Sequence, residues 1–278
     1  MKKTITISIA AMVLLGMANG LPADVLSIYD IQRTDDPAGN SPQVGNTVDC
    51  LGGIVIHKYA GYKPKLTLYD PSHPNGWGGL AVKDFTGNDV FAGVNVGDWL
   101  SFTNTLVEES RGNTQLAYDN SSTFSIDPDR SDSIPAAISV TCADIAAPVE
   151  GPVGEWHVID HSAEKYEAMY LQVEDVTVVA MGLGKADDIY ALQNGTDQCW
   201  ASDYMNIDKE SGEDYHPSIG MGNQFQSVSG ILEQYTNTNK GWDYYQLLTT
   251  CSSDIVPEPA SIILLLSGGI AFLRKRTK

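Results

Sequence analysis

Between Met169 and Ala180 apolar and polar residues alternate, which sets Leu171, Val173, Val176 and Val178 on the inward face of an extended strand with an irregularity at Glu174-Asp175. Similar short runs recur on both sides of it. Thr47 to Tyr59, Leu80 to Phe85, Asp98 to Phe102, Leu116 to Tyr118 and Ile138 to Cys142 read as strands in the first half. Ile189 to Leu192, Cys199 to Ala201, Ser227 to Leu232 and Tyr244 to Leu248 read as strands in the second. Asn194-Gly195 and Thr238-Asn239-Lys240-Gly241 carry turn chemistry between them. Only Val25 to Ile31 and His157 to Glu167 suggest helix, a turn or two each. About five short strands per half with so little helical period indicates an all-β chain of two small barrels or sandwiches. Ala146 to Pro152 has linker composition, so the expected units are 24–146 and 156–255, joined by 147–155.

The two ends read as address labels. Lys2 and Lys3 precede an apolar stretch from Ile5 to Met17, and Ala18-Asn19-Gly20 offers small residues to a signal peptidase. A leader of residues 1–20 is expected, with cleavage after Ala23 as the alternative. At the other end, 256–278 contains Pro257-Glu258-Pro259, an uncharged apolar run over 260–273, and Arg274, Lys275 and Arg276 within the basic end 274–278. The two prolines favour an extended, protease-accessible hinge. The apolar run is shorter than the roughly 20 residues of a spanning helix, and the basic end stays cytoplasmic by the positive-inside rule. This order of parts resembles the PEP-CTERM signal that bacterial exosortases recognise and cleave. The resemblance implies a transient inner-membrane anchor by a short transmembrane helix, an exosortase-type partner, and delivery to the cell surface or an extracellular, biofilm-type matrix.

Without its ends the chain keeps 11 Lys and Arg against 34 Asp and Glu, a charge near −23. That charge keeps the body soluble and disfavours nucleic acid and anionic membranes, while it suits divalent cations and neutral or cationic partners such as exopolysaccharide or a surface protein. Four cysteines, Cys50, Cys142, Cys199 and Cys251, favour disulfides in an exported chain, and three pairings exist. Cys142 and Cys251 sit in matching contexts, each before a proline-containing exit, which favours Cys50–Cys142 and Cys199–Cys251 if they close equivalent domains. A four-cysteine zinc site competes, without any Cys-x-x-Cys spacing.

Ser27-Ile28-Tyr29-Asp30-Ile31-Gln32, Pro42 to Val48, Gly53-Ile54-Val55 and Val94 to Leu100 are together similar to the OB-like domain that accompanies secreted bacterial nucleases and phosphoesterases. Tyr166 to Val178 looks like the next such module. The resemblance implies two tandem OB-like barrels, five-stranded and partly open. In that family these are accessories beside a catalytic domain, for which this chain has no room.

The body shows no Gly-x-Ser-x-Gly elbow, His-Glu-x-x-His helix or phosphate-binding glycine loop, so a non-enzymatic binding or structural protein is expected. An accessory subunit of a secreted nuclease or phosphodiesterase is the alternative. No cofactor is expected beyond a calcium candidate at Asp127, Asp129 and Asp132, whose carboxylates share one loop. His157 and His161 with Glu164 share one face if that segment is helical, which gives an incomplete zinc set. Aromatic side chains that stack on ligand rings are a feature of OB folds. Trp99 and Trp200 fall inside strands and read as core, whereas Trp77 and Trp242 lie at turns and are the stacking candidates. Only Lys58, Lys63 and Lys65 form a basic cluster in the sequence.

Overall fold

The structure, a computed structural model, describes residues 24–61, 63–185, 189–205 and 219–258. The leader 1–20 and most of the tail, including Pro259 and the basic end, therefore lie outside the described residues. Among the described residues no helix is long and apolar enough to cross a membrane.

The chain enters through β1 (Asp24–Leu26) and α1 (Ile28–Gln32). The helix starts at Ser27 because the Ser27 hydroxyl accepts from the Asp30 N–H while the Asp30 carboxylate accepts from the Ser27 N–H, a reciprocal cap. It seats Ile28 and Ile31, both fully buried, in the core of the first barrel. That barrel follows as β2 (Thr47–Tyr59), β3 (Lys65–Tyr69), β4 (Gly79–Asp84), β5 (Trp99–Ser110) and β6 (Asn113–Tyr118), with β7 (Thr123–Asp127) added along β5. Strand β2 pairs with β3, β3 with β4, β5 with β6 and β2 with β5, all antiparallel. A parallel β4–β6 pairing closes the ring. Closure demands a sharp bend in β2, where the register shifts between Cys50 and Gly53. Gly52 at φ 82 makes that bend, and a Cβ there would stand 1.5 Å from the Leu100 carbonyl oxygen. Phe91 closes the interior from the β4–β5 connection, with its ring against Phe102, Tyr118 and Phe124.

A connector carries β8 (Ile138–Ser139), α2 (Cys142–Ile145), β9 (Val149–Glu150) and β10 (Trp156–His157). The second barrel is β11 (Tyr170–Leu183), β12 (Ile189–Asn194), β13 (Asp197–Ser202), β14 (Gln224–Asn237) and β15 (Trp242–Leu248). It repeats the pattern: β11–β12, β12–β13, β11–β14 and β14–β15 antiparallel, with β13–β15 parallel. Both rings are closed five-stranded barrels with the OB strand order, so the expected all-β fold of two tandem OB-like domains holds, and closed where partly open rings were expected. Leu171, Val173, Val176 and Val178 are all buried, and the anticipated break in β11 is a left-handed residue, Asp175 at φ 51.

Two expectations need correction. Ile138 to Cys142 is not one strand: after two residues of β8, Thr141 and Asp144 form a second reciprocal cap that turns Cys142 into the start of α2. Val140, Cys142 and Ile145 pack in the second core. The folded part also runs further than the proline hinge implied. Ile255–Pro257 forms β16, an edge strand on β14 with Pro257 opposite Phe225, a place where a missing N–H costs no ladder bond.

The barrels are one packed unit. Ile56 and Tyr69 of the first belong to the apolar cluster of the second. The Thr236 N–H donates to the Arg111 carbonyl at 2.7 Å, and the Asn113 amide donates to the Gln234 carbonyl at 2.5 Å. Between them sits a buried carboxylate group. Glu167 Oε1 accepts from the Thr114 N–H at 3.0 Å and from the Gln32 amide at 3.3 Å. Glu164 Oε2 accepts from the Tyr245 hydroxyl at 2.7 Å. Burial holds both carboxyls above the ordinary range, Glu164 at about 8, and neighbouring Glu109 raises them further.

A basic cleft between two OB-like barrels

The first barrel's β2–β3 and β5–β6 turns and the second barrel's β11–β12 turn converge on a cleft of about 390 Å³. In OB folds the loop after the first strand and the loop between the last two are the ligand-binding loops. Here they deliver Lys63, Arg111 and Lys185, while β3 and β4 contribute Lys65 and Lys83. Five of the body's 11 basic residues thus meet in one place, with Glu233 the one carboxylate residue in the lining among the described residues.

Local geometry sets the cations in position. Arg111 and Gly112 form the two-residue β5–β6 turn, both left-handed at φ 60 and 88, as a turn with right-handed hairpin twist requires. Arg111 therefore bears a side chain where glycine or asparagine is the usual choice, and its guanidinium donates to the Tyr235 hydroxyl at 2.5 Å. Lys63 is also left-handed, at φ 61. The ammonium of Lys63 lies 4.4 Å and that of Lys83 5.6 Å from the Phe85 ring centroid. Lys185 stands over two rings, 5.5 Å from Tyr204 and 5.2 Å from Tyr235. Tyr59 completes an aromatic wall at 6.0 Å from Tyr204.

The electrostatics favour an anion. Burial lowers the Lys83 ammonium below the ordinary lysine range, and repulsion from Lys65 and Lys63 lowers it further against a smaller pull from Glu108 and Glu233. Lys65 pairs with Glu233 at 3.2 Å, which leaves four cations of the cleft without a carboxylate partner of that kind among the described residues. A ligand bearing several negative charges relieves that repulsion.

Most of the residues singled out in the sequence fall elsewhere. Lys63 and Lys65 line the cleft, but Lys58 donates to the carbonyls of Phe91, Ala92 and Val94 inside the first barrel's loop. Trp77 is half-buried beside Lys165, and Trp242 donates its indole N–H to the Gly154 carbonyl at 2.9 Å; the structure places neither in the cleft. Trp99 and Trp200 are buried as expected. Asp127 accepts from the Asp129 N–H and Asp132 from the Ser133 N–H, and Arg130 lies 3.5 Å over Trp99. Among the described residues no three His, Cys, Asp or Glu side chains gather as a metal site, so Asp127, Asp129 and Asp132 do not converge. His157 faces Glu155, whereas His161 contacts the Tyr245 hydroxyl; His157 ends β10, and the expected helix forms only as a 3-10 turn over Ser162–Tyr166, so the two histidines share no helix face. Of the cysteines, Cys142 and Cys199 stand together with their sulfurs 3.1 Å apart. The expected pairs Cys50–Cys142 and Cys199–Cys251 are separated by the fold, since Cys50 is in the first core and Cys251 opens the turn after β15.

Sequence reading missed Arg111, Lys83 and Lys185 because each is a lone basic residue in its own segment. The Ser110-Arg111-Gly112-Asn113 turn between two strands is the one signal that marked a ligand-facing loop.

No family model matches the chain, and no curated protein does either. Among solved structures it is similar to Pot1 (protection of telomere) in complex with ssDNA at 20% identity and a TM-score of 0.29, covering 38% of this chain and 64% of that one. It is similar to fission yeast Pot1 with ssDNA at 11% identity and a TM-score of 0.35, covering 84% and 88%. A replication protein A heterotrimer bound to ssDNA gives 13% identity and a TM-score of 0.25, covering 90% and 73%. The expectation that nucleic acid is disfavoured as a partner does not stand. The net charge behind that expectation hides a locally basic cleft, lined by Lys63, Lys65, Lys83, Arg111 and Lys185.

Proposed function

We propose that this is an exported, non-enzymatic binding protein whose interbarrel cleft takes a short single-stranded segment of nucleic acid. One observation carries the reading: five basic side chains and the tyrosines Tyr59, Tyr204 and Tyr235 line one cleft built from the ligand-facing loops of two OB-like barrels. Lysine and arginine track a phosphate backbone, and phenol rings offer stacking faces to bases without selecting sequence. The chemistry of the lining is that of holding: cations, phenols, amides and one paired glutamate. Delivery to the cell surface through the leader and an exosortase-processed tail belongs to the same proposal and rests on the two ends of the sequence. An accessory role beside a separate secreted nuclease is compatible with this ligand.

The test is fluorescence anisotropy with a labelled ten-nucleotide oligothymidylate over a salt series. Four cations without a carboxylate partner among the described residues give a slope of log affinity against log salt of about −3 for a single strand. Lys83→Gln and Lys185→Gln each weaken binding and reduce that slope by about 0.7, while Lys240→Gln, on the exposed β14–β15 turn, leaves both unchanged. Equal binding of dextran sulfate, which has charge but no bases, overturns the nucleic-acid reading.

A further inference from the structure

We infer that Cys142 and Cys199 form the single disulfide of the mature protein, clipping the interbarrel connector to the second barrel, while Cys50 and Cys251 remain thiols. The two sulfurs already face each other at 3.1 Å, with Cys199 donating to Cys142, so about 1 Å separates them from a bonded pair near 2.05 Å. Their approach is fixed from both sides. Cys142 is the first residue of α2 and is held by the Thr141–Asp144 cap. Cys199 stands opposite Leu192 in the β12–β13 ladder, and the Leu192 carbonyl lies 3.8 Å from the Cys142 sulfur. The Ala147 N–H donates to the Gln198 carbonyl at 2.7 Å, so the connector is tied down again one residue from Cys199. Both cysteines are buried, at 1% and 0% exposure, so the bond closes as the barrel folds and is then shielded from reductant.

The other two thiols have no such neighbour. Cys50 is enclosed in the first core, and burial pushes its thiol up to about 12, which removes the reactive thiolate. Cys251 follows the end of β15. That strand runs parallel to β13 with Leu248 beside Ser202, so Cys251 lies past the end of β13 remote from Cys199.

The chemistry balances with a disulfide donor of the thiol–disulfide exchange class. One thiolate attacks the donor, the mixed disulfide is resolved by the second cysteine, and the donor leaves as a dithiol carrying both electrons and both protons. The presence of that donor in the cell rests on the proposed export.

The experiment uses the full chain, purified reduced and equilibrated with oxidised glutathione, then acid-quenched, denatured, alkylated and mapped by mass spectrometry. The expected map shows one cross-linked pair, Cys142 with Cys199, and alkylated Cys50 and Cys251. Reduction lowers Tm by roughly 10 °C because a loop of 57 residues is reopened in the unfolded chain. In Cys142→Ser/Cys199→Ser that response to reductant is absent. Four alkylated cysteines, or a Cys50–Cys142 or Cys199–Cys251 pair, overturn the inference; the wild-type map reads this whether or not the variant folds. The same bond formed in vitro but found reduced in protein recovered from its host leaves the pairing standing and refutes export.

Discussion

Replacing Glu164 with glutamine should flatten the alkaline side of the stability profile. Glu164 is 2% exposed, and burial raises its carboxyl from 4.5 to about 8. Between those values the folded protein holds a proton that the unfolded chain has released, so folding stability is complete below pH 4.5 and is lost as pH rises through 8. The loss runs at about 1.4 kcal/mol per pH unit for one such group. His57 acts in the opposite sense lower down. Burial takes its imidazole from 6.5 to about 4, so its contribution is lost as pH falls through that interval and is constant above 6.5. The clean window is therefore pH 6.5 to 8, where Glu164 alone costs about 2 kcal/mol and Glu167, also raised, adds in the same direction. Glu164→Gln keeps an acceptor for the Tyr245 hydroxyl and removes the titration. Urea unfolding at pH 6.5, 7, 7.5 and 8 measures the slope in both proteins. A wild-type stability that is level or rising across that window, or a variant with the same slope, refutes the reasoning.

Gly79→Ala should loosen the barrel interface, because the new Cβ would meet the Glu167 and Ala168 backbone at 2.3–2.5 Å. A cost of about 1–3 kcal/mol and weakened oligothymidylate binding are expected, checked by urea unfolding and anisotropy. Leu171→Ala, at a fully buried position near the start of β11, should cost about 2–5 kcal/mol in the same unfolding assay.

The strands that sequence exposes best are those with one wet face. Met169 to Ala180 alternates because β11 buries one face in the barrel and leaves the other more open, and Thr47 to Tyr59 reads as a strand over its full length. Strand β3 escapes notice because four of its five residues are buried, so it carries no alternation to recognise. Cys142 was drawn into a strand by its apolar neighbours, whereas the fate of that segment is set by two polar residues, Thr141 and Asp144. The cleft was least legible of all. Its cations are dispersed from Lys63 to Lys185, and only ring closure of two barrels brings the turns that carry them to one point.

The Arg111-Gly112 turn has a consequence for valency. Its backbone is bonded to Thr236, so the loop that would serve the first barrel as a separate ligand grip is committed to the wall of a shared cleft. On the proposed function, two barrels then make a monovalent receptor: one strand segment per molecule, no bridging of two strands by a single chain, and no gain from avidity unless several copies are displayed side by side on one surface.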